Sequence, residues 1–88
     1  MIVQTAPNDT GEKRLGLTAS KKLAKSAVVR NRIRRRLRAA AREVLPLYAK
    51  GGADYVLIGR PETPERPWPD LVKDLIWCLK KLECYVES

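Results

Sequence analysis

The sequence predicts a small α/β fold, a sandwich of a mixed sheet with helices, in the order β-β-α-β-α. Three observations carry this prediction. Strand-type alternation or β-branched content occurs in short stretches at 2–6, 14–20 and 54–59. A long segment with helical apolar spacing lies between the second and third of these, and a second such segment follows a proline-rich loop. Eighty-eight residues fit one apolar core, so 1–88 is read as a single domain.

Ile2 to Ala6 reads as the first strand, and Pro7-Asn8-Asp9-Thr10-Gly11 as a turn. In Arg14 to Ser20, Leu15, Leu17 and Ala19 alternate with Gly16, Thr18 and Ser20, the pattern of a half-buried strand. These two strands are expected to pair as a hairpin. The first helix is expected from a cap at Ser26 to about Leu47, with Pro46 distorting or ending its last turn and Gly51-Gly52 supplying the stop. Asp54 to Gly59 is the third strand. Residues 60–69 hold four of the six prolines and form a loop. Pro69 then suits the first turn of a helix reaching about Glu83, with Asp70 and Asp74 early, Lys80 and Lys81 late, and a buried stripe of Leu71, Val72, Leu75, Ile76, Leu79 and Leu82. Trp77 lies off that stripe. Cys84 to Ser88 is expected to fray.

Charge is distributed unevenly. The net charge is +8, yet residues 13–42 hold twelve of the eighteen Lys and Arg and no Asp or Glu. On a helical wheel Val29, Ile33, Leu37, Ala40 and Val44 share one arc, with Ala41 and Tyr48 at its edge. Opposite stand Asn31, Arg35, Arg38 and Arg42, flanked by Arg34 on one side and Arg32 and Arg36 on the other. A merely solvated face normally mixes signs. Here Arg32–Arg36, Arg34–Arg38 and Arg38–Arg42 are like-charge neighbours, each destabilising by about 0.2–0.5 kcal/mol. Such a face points to a polyanionic partner. The arginine fork matches phosphate oxygens with two parallel hydrogen bonds. Ser20, Lys21, Lys22 and Lys25 lie just upstream, where helix-start N–H groups could join them around a phosphate; for Ser20 and Ser26 plain turn and capping roles compete evenly.

Asn31 is the one residue on that face suited to a base edge, so the surface fits a partner recognised by shape, as folded RNA is. No stretch is long and apolar enough to span a membrane, and MIVQTAP lacks the layout of a signal peptide, so a cytoplasmic, non-membrane protein is expected. Cys78 and Cys84 read as free thiols. The chain has no histidine, and its carboxylates sit in turns, helix starts and the proline loop, so a metal site, catalytic residues or a resident cofactor are not expected.

Residues 14–44, RLGLTASKKLAKSAVVRNRIRRRLRAAAREV, closely resemble the signature region of the bacterial ribonuclease P protein subunit. That family's pattern runs from a strand ending in S-K-K through a short joint to R-N-R-[IV]-[KR]-R-x-[LIV]-R. Gly16, Ser20, Lys21, Lys22, Ala27, Val28, Arg30, Asn31, Arg32, Ile33, Arg34 and Arg35 match it. The resemblance implies a ribosomal protein S5 domain 2-like fold with a left-handed β-α-β crossover. It also implies a subunit that joins a catalytic RNA and helps remove the 5′ leader from precursor tRNA, with Mg2+ on the partner RNA doing the chemistry. Arg30, Asn31, Arg32, Arg34 and Arg35 would inherit RNA contact; Lys21, Lys22 and Lys25 look like further contacts, and Arg38 and Arg42 continue the basic face. A structural ribosomal or general RNA-binding protein is the alternative. Two departures stand out. Lys25 falls where glycine is common, in a joint one residue longer than usual. The chain also starts almost directly on the first strand, without the family's usual N-terminal helix, which forms one wall of the leader cleft. Self-association through the surface thereby exposed, Trp77 included, is expected.

Overall fold

The structure, a computed structural model, describes residues 1–22 and 24–86. Its elements are β1 (Ile2–Pro7), β2 (Lys13–Thr18), α1 (Ala27–Tyr48), β3 (Ala53–Ile58) and α2 (Trp68–Lys81), the expected order. The sheet is mixed, as expected, but β1 and β2 do not form a hairpin. The strand order is β1-β3-β2, with β3 antiparallel to β1 and parallel to β2.

The reason lies in what each strand can bury. In β3 both faces are apolar: Ala53, Tyr55 and Leu57 enter the core, while Val56 and Ile58 are half-buried on the other side. Two-sided burial belongs to a central strand. By contrast β1 carries Gln4 and Pro7 and β2 carries Lys13 and Arg14, residues suited to sheet edges. The 8–12 connection therefore passes over the start of β3 and docks there. Asn8 N–H donates to Gly52 O (2.9 Å), Gly52 N–H to Glu12 O (3.2 Å), and the Asn8 amide to Asp54 Oδ1 (2.8 Å). At Gly51 a Cβ would lie 2.8 Å from the Gly11 carbonyl oxygen, so this crossing requires glycine.

Because β2 and β3 run parallel, α1 must carry the chain back between them. Ser26 caps it, accepting from Val29 N–H at 3.4 Å. Pro46 does not end it: the helix runs to Tyr48, and Lys13 Nζ donates to the Leu45 and Pro46 carbonyls at 3.0 and 3.2 Å. The stop is not glycine either, but an extended Ala49. Both helices pack on one face of the sheet, burying Ile33, Leu37, Ala40, Ala41, Val44 and Leu45 of α1 and Leu71, Leu75 and Leu79 of α2 against Val3, Tyr55 and Leu57.

The stretch after α2 is ordered through Val86 rather than frayed; Glu87 and Ser88 lie outside the described residues. Glu83 takes a left-handed conformation (φ 59°) that turns the chain, and Cys84 N–H returns to Leu79 O at 2.9 Å. Lys50 N–H then donates to Cys84 O and Val86 N–H to Tyr48 O. Tyr85 stacks on Tyr48 with centroids 5.5 Å apart. Apolar burial of Cys84 and an available main-chain partner after α1 explain the order.

Leu37 is fully buried, so Leu37→Ala is expected to lower unfolding free energy by about 2–5 kcal/mol in urea titration. Tyr55 is fully buried and donates to Lys50 O (2.7 Å); burial, then the neighbouring Cys84 thiol, push its pKa from 10.0 up to about 12. The folded state thus holds this proton more tightly than the unfolded chain. Its contribution is intact below pH 10 and declines between about 10 and 12. Stability measured across that window should fall less steeply in Tyr55→Phe.

Candidate nucleic-acid interface

The apolar seam of α1 fixes the helix's rotation on the sheet and so fixes which arginines face water. Asn31, Arg32, Arg35, Arg38 and Arg42 are exposed, while Arg30, Arg34 and Arg36 are half-buried. The second group does structural work. Arg30 Nη1 donates to Ala24 O and Lys25 O, both at 2.8 Å, and Arg34 Nη2 donates to Ala19 O at 3.2 Å. These bonds tie the joint between β2 and α1 to the helix. Arg34 also reaches Asn31 Oδ1 at 3.4 Å, which orients that amide.

Arg36 points the other way. Its guanidinium donates to Thr63 O (2.7 Å), Pro64 O (2.6 Å) and Arg66 O. The proline-rich loop is thereby pinned to α1, and Arg66 pins it to α2 through two bonds to Asp74, the shorter 2.6 Å. Thr63, buried, closes the loop by accepting from Arg60 N–H at 2.9 Å. Sequence reasoning treated Arg36 as one more flank of the basic face. A long donor facing a segment rich in prolines, whose carbonyls lack local N–H partners, was the available signal.

Carbonyl oxygens accept these hydrogen bonds but do not cancel charge. The ion pairs among the described residues are Arg14–Asp54 (3.8 Å) and Arg66–Asp74 (2.6 Å), and neither involves α1. All seven arginines from 30 to 42 therefore keep their full positive charge. The side chains of Arg32, Arg35, Arg38 and Arg42 make no hydrogen bond or ion pair among the described residues, and neither do those of Lys21, Lys22 and Lys25, which are exposed beside the helix start. Val28, Asn31, Arg34, Arg35 and Arg38 line an open groove of about 460 Å3. Val28 is an apolar contact on this wet side, 74% exposed, that the helical pattern left unassigned. Of the ten expected contact residues the structure brings Asn31, Arg34, Arg35 and Arg38 together in this groove, while Arg42 lines a separate one with Lys13 and Leu15; Arg30 is half-buried at the helix start, and Lys21, Lys22, Lys25 and Arg32 are exposed.

No three His, Cys, Asp or Glu side chains among the described residues converge as metal ligands would. Burial pushes the Cys78 thiol up, away from the reactive thiolate, and Cys84 is enclosed. Among the described residues no helix is long and apolar enough to cross a membrane.

The family model described as Ribonuclease P matches residues 1–83. The chain is 52% identical over 86 residues to the ribonuclease P protein component of Ruegeria pomeroyi, covering 93% of this chain and 68% of that one. It is 47% identical over 87 residues to that of Paramagnetospirillum magneticum, covering 93% and 65%. Against the Caulobacter vibrioides protein it spans 41% of the relative's length. Among solved structures, the Thermotoga maritima RNase P protein superposes with a TM-score of 0.75 at 26% identity, covering 98% of this chain and 76% of that one. The Staphylococcus aureus RNase P protein gives 0.71 at 28%, covering 96% and 75%.

The division between bonded and free arginines has a direct consequence for stability. Arg36→Ala removes charged hydrogen bonds that hold a loop and is expected to lower unfolding free energy by about 1.5–3 kcal/mol. Arg35→Ala should stay within about 0.5 kcal/mol of the parent protein in the same urea titration.

Proposed function

We propose, on the premise that this chain belongs to the ribonuclease P protein family, that it acts as the protein subunit of a ribonucleoprotein endonuclease that removes the 5′ leader from precursor tRNA. The observation carrying this reading is the unneutralised arginine face of α1, held in one orientation by the core. Closely spaced phosphates of a folded catalytic RNA are the partner such a face fits, because each guanidinium can take two phosphate oxygens at once.

In this reading Arg32, Arg35, Arg38 and Arg42 contact phosphates directly, Asn31 meets a base or sugar edge, and Lys21, Lys22 and Lys25 extend the contact past the helix start. Arg30 and Arg34 keep the joint in place and add charge from beneath. The chain supplies no acid, base or nucleophile to the reaction. Magnesium ions on the partner RNA carry the bond cleavage, and the protein lowers repulsion among packed phosphates so that the active RNA fold and the bound substrate need less of that ion. Such a protein works where precursor tRNA is made, in the cytoplasm. Like charge opposes self-association at Trp77: two copies meeting there about a two-fold axis would bring Lys73, Lys80 and Lys81 of each against those of the other.

Cleavage of precursor tRNA is expected only when the matching catalytic RNA is present, with the protein shifting the magnesium requirement downward. The double variant Arg35→Ala/Arg38→Ala should bind that RNA on the order of tenfold or more weakly at 0.1 M salt, with a salt slope shallower by about two. A folded double variant that stimulates cleavage as the parent does would remove these residues from the interface. RNA binding with no effect on cleavage at any magnesium concentration would favour a general or ribosomal RNA-binding role.

A further inference from the structure

The outer side of α2 carries a feature that the arginine interface does not use. Trp77 is 61% exposed, the most open aromatic side chain given by its surroundings, and it stands on the side of α2 away from Leu71, Leu75 and Leu79. Lys81 Nζ lies 5.4 Å from its ring centroid, a cation–π contact that steadies the indole while leaving much of it in water. One open groove beside it, of about 230 Å3, is lined by Lys73, Ile76, Trp77 and Lys80. A second on its other side is lined by Met1, Ile2, Val3, Trp77, Cys78, Lys81 and Leu82. Among the described residues neither groove has an acidic side chain in its wall. The nearest carboxylate one turn back, Asp74, is already held by Arg66 in two hydrogen bonds.

We infer that Trp77 with Lys73 and Lys80 is a stacking platform for an unpaired nucleotide of single-stranded RNA, separate from the arginine face; this deepens the reading above and rests on it. An exposed indole offers a sequence-tolerant surface to any base, and ammonium groups three and four residues away take the flanking phosphates. Charge selects this occupant over a second copy of the chain, since a two-fold contact would oppose like charges. It also selects it over an apolar peptide, which would bring no anion to Lys73 or to Lys80, whose Nζ lies 4.8 Å from the Tyr85 ring centroid. The platform shares no lining residue with the groove of the arginine face, and on its other side it borders Met1, Ile2 and Val3 at the sheet edge.

The test uses the Trp68→Phe chain, in which Trp77 is the one remaining tryptophan. Its emission is followed while a six-nucleotide oligoadenylate RNA is added, and separately an abasic ribose-phosphate strand of equal length. Quenching by the oligoadenylate and not by the abasic strand is expected, with a midpoint that moves to higher concentration, on the order of tenfold, in Lys73→Ala/Lys80→Ala. Arg35→Ala/Arg38→Ala should keep the quenching even where it loses binding to the catalytic RNA, which separates this proposal from the one it rests on. Emission unmoved at an RNA concentration that saturates a labelled strand would overturn the platform, as would equal quenching by the abasic strand. Emission that changes with protein concentration alone, and with it the sedimenting mass, would assign Trp77 to contact between copies instead.

Discussion

Helix α1 buries Ile33, Leu37, Ala40, Ala41, Val44 and Leu45 on one side while the rest of its circumference carries seven arginines, none paired with an acid among the described residues. The magnitudes decide that this is stable. Six like-charge pairs three or four residues apart along the helix cost about 0.2–0.5 kcal/mol each, whereas each of the buried Ile33, Leu37, Val44 and Leu45 contributes about 1.5–3 kcal/mol. Core burial therefore holds the helix on the sheet against its own repulsion, and it does so in one rotation. The direction of the guanidiniums is thus set by buried residues on the opposite side of the helix.

The arginines also divide the work among themselves. Arg30, Arg34 and Arg36 satisfy main-chain carbonyls on both sides of α1, at the joint after β2 and in the proline loop before α2. An acid in those places would have bonded as well but would have cancelled charge. Backbone carbonyls give the anchoring without that loss, so structural arginines still add to the field felt by a phosphate. Loop, joint and helix are consequently tied together by these bonds into one charged surface.

Much of this was legible in the sequence. The 3.6-residue spacing from Val29 to Val44 gave the helix and its buried side, the sign imbalance gave the partner class, and Ser26 marked the cap. What could not be read was pairing. Strand alternation in 2–6 and 14–20 is compatible with a hairpin, and only the two-sided apolar content of Asp54 to Ile58 hints that a third strand lies between them. Likewise Arg30, Arg34 and Arg36 are chemically identical to their free neighbours; long-range carbonyls, not composition, make them anchors. Ordering of Cys84 to Val86 depended on a main-chain partner at Tyr48 to Lys50, contributed from more than thirty residues away along the chain.

Arginine footprinting tests the central claim most directly: the protein is treated with phenylglyoxal in the absence and presence of the matching catalytic RNA, and modification is read at each arginine by mass spectrometry. Strong protection of Arg32, Arg35, Arg38 and Arg42, with Arg14 on the opposite face of the sheet and Arg60 at the end of β3 left reactive, is the predicted pattern. Protection confined to Arg14 and Arg60, with the α1 arginines as reactive as in the free protein, would contradict the account.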